Sequence, residues 1–277
     1  MTDVTATPTR QPSALALGIH RARYEIRTYF RSPDQVFFTF LFPVFMLALF
    51  STIFSGMTQF GPGVPDTTAV QYYLPGMLAA GLLLSGTQNL ASDIAVERFD
   101  GTLKRLGGTP LPAISYFIGK FGQVLVTALL QAAAVLVTGV LLGATLPSEP
   151  EKWLTFAWVF LLGLATCALL GIALSAVPRS GKSATAVVLP IVLVLQFISG
   201  VYIAFTLIPE WLQSVASAFP LKWMAQGMRS VFLPDDFRAL ETGGEWNLGG
   251  VAIALVAWLV VGLVITRLTF RWNRRAA

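Results

Sequence analysis

Long apolar stretches separated by short polar ones run through most of the chain. A helix needs roughly 20 apolar residues to cross the hydrocarbon core of a bilayer. Six stretches meet this length: residues 36–55, 70–92, 114–142, 153–177, 184–208 and 248–266. The fifth contains Pro190 and Gly200, so we expect a kink there. The pattern predicts an all-α membrane protein with six transmembrane helices.

The polar residues before the first span also follow a helical pattern. Residues 14–32 interleave leucine, isoleucine and aromatic side chains with His20 and four arginines, which predicts an amphipathic interfacial helix along the membrane surface. Ser32 and Pro33 mark the turn into the bilayer. Residues 1–13 are rich in Thr and Pro and have no apolar core, so we predict a disordered cytosolic tail.

The longest segment between spans, residues 209–246, lies between the fifth and sixth. Its first half is rich in Trp, Phe, Met and Val, which predicts short outer-face helices that cap the bundle. Its second half, residues 234–245, is acidic and contains glycine, so we predict an exposed loop.

Residues 93–110 form the most highly charged segment between two spans. Ile94, Val96, Phe99, Leu103 and Leu106 make one apolar stripe if the segment is helical, and the glycines and proline after Leu106 end it. Such a short amphipathic helix either lies in the lipid headgroups or docks a soluble partner. The pattern alone leaves both readings open.

Composition and charge agree with a membrane protein. The chain is 55% hydrophobic and 12% charged, whereas a soluble domain has about 25% charged residues. If the N-terminus is cytosolic, all but four of the nineteen Lys and Arg residues lie on the cytosolic side; the four are Lys152, Lys222, Arg229 and Arg238. This positive-inside bias predicts a multi-pass plasma-membrane protein with both termini in the cytoplasm. Because topology accounts for the basic residues, no nucleic-acid partner is expected.

The sequence offers little for catalysis or for nucleotide binding. Residues 176–183 resemble a phosphate-binding loop, but such a loop requires a preceding strand, and here a predicted span precedes it. His20 is the single histidine and Cys167 the single cysteine, so neither a Ser–His pair nor a metal cluster is expected. We predict no catalytic residue, no metal and no cofactor in this chain.

Weakly polar groups within the spans are the candidates for a substrate path. Most such groups serve as ordinary interhelical contacts. The alternative is a hydrophobic path for an amphipathic compound, lined by Phe38 and Phe42 of the first span and by Gln196 and Tyr202 of the fifth.

The charged segment carries a family resemblance. Glu97-Arg98-Phe99-Asp100-Gly101-Thr102-Leu103, followed by Thr109-Pro110-Leu111, Tyr116 and Gly119-Lys120, resembles the signature of ABC-2-type permeases. These are the membrane subunits of one class of ATP-binding-cassette exporters. Phe99-Asp100 stands where the family often has a glutamate directly before Gly-Thr. Within the family, daunorubicin-resistance drug exporters are the most similar in plan.

The resemblance implies a fold, partners and a mechanism. Residues 14–277 would be the transmembrane domain, and 93–110 would contain a coupling helix seated in a cognate ATPase. Two ATPase copies, which bind ATP and Mg, would drive two permease chains, identical or different. The coupling residues would be Glu97, Arg98, Asp100, Gly101, Thr102, Leu103 and Pro110. The cargo would be a drug-like or lipid-like compound, as in multidrug efflux and antibiotic resistance. Alternatives are a lipid-linked polysaccharide permease and an ATP-independent channel, carrier or scaffold.

Overall fold

A computed structural model describes residues 13–269, which form a bundle of helices with no strand. The predicted tail, residues 1–13, lies outside this range except for its last residue. Ser13 belongs to the first helix, because its hydroxyl accepts a hydrogen bond from the backbone N–H of Ala16 at 3.3 Å and so caps the helix.

Eleven α-helices follow one another in the described range. They are α1 Ala14–Phe30, α2 Pro33–Ile53, α3 Ala69–Leu83, α4 Leu90–Phe99, α5 Thr102–Gly107, α6 Ala113–Leu141, α7 Pro150–Leu174, α8 Ala184–Ile198, α9 Glu210–Ser217, α10 Pro220–Phe232 and α11 Leu248–Thr269. A π-helical turn, Leu84–Asn89, joins α3 to α4, so these elements form one continuous column.

The column is the centre of the bundle. Every residue of α3 is buried, which is the expected state of a helix that is apolar on all sides. Helices α2, α6, α7 and α10 pack around it, α11 packs on α7, and α1 lies along α6. The π turn packs on α7, where the Thr87 hydroxyl donates to the Cys167 carbonyl at 3.0 Å. A Cβ placed on Gly171 of α7 would lie 2.4 Å from the Gly86 carbonyl oxygen, so this contact requires glycine.

Four helices, α2, α6, α7 and α11, are long and apolar enough to cross a membrane. The membrane-protein class predicted from the sequence is therefore confirmed. The second predicted span corresponds to α3 and its π-helical continuation, and the fifth to the 15-residue α8. The count of six spans stays a prediction.

The fifth segment differs from its predicted bounds of 184–208. Helix α8 ends at Ile198, and Gly200 adopts a left-handed φ of +75° that an α-helix does not contain. The chain turns here and packs against α3: a Cβ on Gly76 would lie 2.6 Å from the Val201 carbonyl oxygen.

The segment after α8 forms a cap over one end of the bundle. The predicted short helices are present as α9 and α10, and α10 packs on α3, α7 and α11. The prediction of an exposed loop at 234–245 was wrong in part. Two 3₁₀ turns fold back there and bury Phe237, Leu240 and Glu241.

Candidate functional site

Helices α1 and α6 meet along a line of glycines near the charged segment. A Cβ on Gly119 would lie 2.4 Å from the Cγ atom of Arg21, and one on Gly122 would lie 2.8 Å from the Cβ atom of Ala22. The Ser115 hydroxyl also donates to the Ala14 carbonyl at 2.7 Å. Because no larger residue fits at these positions, α1 is held close to α6, and its charged side chains are brought to the end of α4.

A buried ion cluster joins α1, α4 and α6 at this point. Lys120 is 2% exposed, and its Nζ atom lies 2.7 Å from Oε1 of Glu97 and 2.9 Å from Oε2 of Glu25. The Tyr116 hydroxyl donates to the other Glu97 oxygen at 2.7 Å. Arg21 pairs with Glu25 at 2.5 Å and lies 3.6 Å from Glu97. The end of the central column is thus bound to two other helices through charged groups.

Arg98 makes a second connection, to α7. Its guanidinium donates to the Ser175 carbonyl at 2.7 Å and to the Ser175 hydroxyl at 3.3 Å. Ser175 is the C-cap of α7, so the arginine satisfies a carbonyl at the negative end of that helix dipole. Two adjacent residues, Glu97 and Arg98, therefore connect α4 to α6 and to α7.

The predicted single helix at 93–106 is broken in two. Gly101 adopts a left-handed φ of +81°, and the Asp100 carboxylate accepts the Thr102 backbone N–H at 2.8 Å to begin α5. Leu103 is buried and anchors α5 to the bundle. A continuous helix cannot pass through a left-handed residue, so the segment forms a corner.

The break divides the predicted coupling residues into two sets. Glu97 and Arg98 point into the bundle, where they make the contacts described above. Asp100 and Pro110 are exposed, as are Lys104 and Arg105 of α5. A partner protein could therefore reach α5 and its flanks directly.

A cavity of about 280 Å³ lies beside the ion cluster. It is lined in part by Arg21, Glu25, Asp93, Glu97 and Lys120. Burial raises the pKa of the Asp93 carboxyl to about 6, opposed by the positive charge of Lys120 and by a 3.0 Å hydrogen bond from Gln35; the negative charges of Glu97 and Glu25 add to the rise.

A pH-dependent stability follows from Asp93. Its folded pKa lies above the value of about 3.9 in an unfolded chain, so the native state loses stability as pH rises from about 4 through 6. Asp93→Asn keeps an oxygen for Gln35 and removes the charge. We expect the variant to be more stable than the parent at pH 7.5, by about 1–2 kcal/mol, and the difference to shrink at pH 5. Thermal unfolding in detergent at both values measures this; an unchanged difference would contradict it.

Sequence reasoning missed most of this cluster. Glu25 is the single acidic residue of α1 and Lys120 a cation inside an apolar helix, which were the available signals. Glu25 was given no role in the sequence analysis, and Lys120 was counted only among the basic residues of the cytosolic side. Tyr116 and the pair Gly119-Lys120 were otherwise named only as part of the family resemblance, with no structural role.

The predicted substrate-path residues fall into two groups. Gln196 and Tyr202 are buried and joined, because the Tyr202 hydroxyl donates to Gln196 Oε1 at 2.6 Å. Phe50 of α2 stacks on the Tyr202 ring with centroids 5.4 Å apart. Phe38 is 67% exposed and Phe42 is half-buried. The geometry joins the first pair, and the hydrogen bonds and ring contacts described for residues 13–269 do not connect it to Phe38 or Phe42.

Residues 176–183 form the turn between α7 and α8. Ser180 and Ser183 hydrogen-bond to each other there, with their hydroxyls 2.9 Å apart. Residues 13–269 contain no strand to precede a phosphate-binding loop, so the context that such a loop requires is missing from the described chain.

A buried ion pair also stabilises the cap at the opposite end of the bundle. The Arg229 guanidinium binds the Glu241 carboxylate and donates to the Gly200 carbonyl at 2.8 Å. It therefore connects α10 both to the residues after α8 and to the 3₁₀ turn. Nearby, Gln71 of α3 donates to the carbonyls of Thr145 and Phe232.

Comparison with known proteins gives a consistent result. The sequence profile described as "ABC-2 type transporter" matches residues 21–233. The inner membrane transport permease YadH of Escherichia coli K12 is 23% identical over 79% of this chain and 85% of its own length. The putative transport permease ycf38 of Cyanophora paradoxa is 24% identical over 85% of this chain and 82% of its own length.

Proposed function

The chain belongs to the ABC-2 type transporter family, and from that premise we propose that it is the permease subunit of an ATP-driven exporter. ATP and Mg would bind a separate cognate ATPase present in two copies. A second permease chain, identical or different, would complete the translocation unit in the plasma membrane. The two termini would lie on the cytoplasmic side, together with α5.

The observation that carries this proposal is the position of Glu97 and Arg98. They are neighbours at the end of the central column, yet Glu97 binds α6 and Arg98 binds α7. A displacement of the corner at Gly101 is therefore transmitted to helices on both sides of the column. This is the mechanical arrangement that a motor subunit would need in order to move apolar helices that have no energy source of their own.

The two sets of coupling residues would then have different roles. Exposed Asp100, Lys104 and Arg105 would contact the ATPase, and Glu97 and Arg98 would transmit its motion within the permease. The resemblance alone implied that Glu97, Arg98 and Asp100 act together as coupling residues seated in the ATPase, and it did not include Lys104 or Arg105. The geometry favours the division, because the side chains of Glu97 and Arg98 are engaged with their own chain.

Paired variants separate these roles. Lys104→Ala with Arg105→Ala should weaken co-purification with the ATPase, because exposed charges that meet a partner govern association. Arg98→Gln should leave co-purification intact and reduce the transport obtained for each ATP hydrolysed, because the link to Ser175 is weakened.

Pull-down and transport assays on the same proteoliposomes measure both effects, with Arg179→Gln as an exposed control. Loss of ATPase binding in Arg98→Gln alone would assign that residue to the docking surface and contradict the division.

The cargo we propose is an amphipathic drug-like or lipid-like compound that passes near Gln196 and Tyr202. Support comes from the pairing of two polar groups within an aromatic setting that includes Phe50 and Phe197. Tyr202→Phe removes the hydrogen bond and keeps the ring, so we expect a changed preference among exported compounds. An unchanged preference across a panel of drugs would remove this path.

The alternatives differ in cargo or energy source. Lipid-linked polysaccharide export uses the same proposed subunit plan, so transport assays with the two cargo classes would distinguish it. An ATP-independent channel, carrier or scaffold would be indicated if the purified chain moved cargo without any ATPase.

A further inference from the structure

Helix α1 has a face that its contacts within the chain leave open. Gly18, Glu25 and Tyr29 are buried, and Ala22 contacts α6. Next to this buried face, further around the helix, lie the exposed side chains of Leu15, Ile19 and Phe30. The helix therefore has one apolar flank that packs against the bundle and a second one, Leu15, Ile19 and Phe30, that stays largely exposed and is called the unused flank below.

A line of basic residues lies next to the unused flank. His20, Arg23, Arg27 and Arg31 recur at intervals of three, four and four residues, which places them in one stripe about 80° wide on a helix that turns about 100° per residue. All four side chains are exposed, and within residues 13–269 none of them forms an ion pair. Glu25, the single acidic residue of α1, lies on the buried side.

An aromatic contact places this end of α1, and with it the stripe, beside the first turns of α2. The Phe30 ring, on the unused flank, stacks on Phe40 of α2 with centroids 6.3 Å apart. Helix α2 is one of the four helices able to cross a bilayer, and Phe37 and Phe38 beside Phe40 are exposed. The apolar flank thus continues onto the exposed surface of α2 within about two turns of the start of that helix. Lipid headgroups are expected at this level if α2 crosses the bilayer.

We propose that His20, Arg23, Arg27 and Arg31 form a binding surface for anionic phospholipid headgroups, with Leu15, Ile19 and Phe30 inserted beside them. Guanidinium groups pair with phosphate through forked hydrogen bonds, and the apolar flank holds them at the depth of the phosphates. Topology alone would require basic residues on this side but not their alignment beside an apolar flank. The inference concerns the lipid that α1 contacts and does not depend on ATP or cargo.

The test measures which lipid touches α1. Ile19→Cys places a thiol on the unused flank, and Cys167 is fully buried, so a thiol-reactive bimane should label position 19 alone. The labelled full chain is placed in nanodiscs of equal parts phosphatidylglycerol and phosphatidylcholine. In one sample only the phosphatidylglycerol carries brominated acyl chains, and in a second sample only the phosphatidylcholine does. The ratio of the two quenching efficiencies reports the local enrichment of the anionic lipid.

We expect stronger quenching by brominated phosphatidylglycerol. Each arginine near a surface should change the local partition by about fivefold. The two quenching efficiencies should therefore become nearly equal in a triple variant that combines Arg23→Gln, Arg27→Gln and Arg31→Gln. A matched control, Arg179→Gln with Lys182→Gln and Arg267→Gln, removes the same charge from exposed positions elsewhere and should keep the preference.

Three outcomes would overturn the proposal. Equal quenching in the parent chain would show no selectivity for the anionic lipid. An equal loss in the control would show a general effect of net charge. Absence of quenching by either lipid would show that the flank does not touch the bilayer and would assign the stripe to a protein partner. Size-exclusion profiles confirm that each variant is folded.

Discussion

Lys120→Met is expected to destabilise the protein by about 3–5 kcal/mol, which is the usual result of leaving buried charges without their partner. Lys120 is almost fully buried and neutralises Glu25 and Glu97 directly, so its removal leaves Arg21 as the remaining cation of the cluster beside two carboxylates. The measurement is the apparent melting temperature of purified protein, followed by size-exclusion chromatography after heating. Helix α1 should also pack less tightly against the bundle, because Lys120 binds Glu25 of α1 as well as Glu97 of α4.

Two further variants make this result specific. Lys182→Met removes an exposed lysine and should change stability by less than about 0.5 kcal/mol. Adding Glu25→Gln and Glu97→Gln to Lys120→Met should recover part of the loss, since both carboxylates of the cluster are then neutral. The remaining loss should come from Arg21, which keeps its charge without its two acidic partners. A melting temperature for Lys120→Met close to that of the parent would show that the cluster is open to water.

Arg229→Met is the second large effect that we expect, again about 3–5 kcal/mol. The Glu241 side chain is 1% exposed and would lose its cation, and the Gly200 carbonyl would lose its donor. Because these contacts join α10 to the segments on both sides, the cap over residues 199–246 should open before the rest of the bundle. Limited proteolysis from the cap side, together with the melting temperature, measures this.

An ion pair in the same cap provides the control. Lys152 lies 3.4 Å from Asp235, whose side chain is 71% exposed, and such pairs contribute at most about 1 kcal/mol. Asp235→Asn should therefore leave proteolysis unchanged. Arg229→Met with Glu241→Leu should be less damaging than Arg229→Met alone, because both charges are removed together. Equal damage in the single and double variants would mean that packing, and not charge, holds the cap.

The sequence predicted elements formed from contiguous residues better than it predicted their ends. Hydrophobic length located α2, α6, α7 and α11 within a few residues. It overextended α8, because residues 199–208 remain apolar while a left-handed Gly200 turns the backbone. The break at Gly101 was available from Asp100-Gly101-Thr102, a pattern typical of a turn followed by a helix start, but the apolar stripe across it suggested continuity.

The ion clusters could not be derived in the same way. Glu25, Glu97 and Lys120 are separated by tens of residues, and their meeting depends on the glycines that let α1 approach α6. Arg229 and Glu241 are nearer in sequence, but the acidic segment around Glu241 resembles a solvated loop. Burial of a charged side chain is a property of the packed bundle, and hydropathy averages do not contain it.

The π turn at Leu84–Asn89 sets the direction in which the end of the central column points. A π turn accommodates about one more residue than an α-helix over the same stretch, so it offsets everything after it by about 100° around the axis. Removing one residue from this turn would restore regular α-helix, yet it would swing Glu97 away from Lys120 and Arg98 away from Ser175 together. The one extra residue of the π turn therefore fixes the rotation of α4 about the column axis relative to α6 and α7.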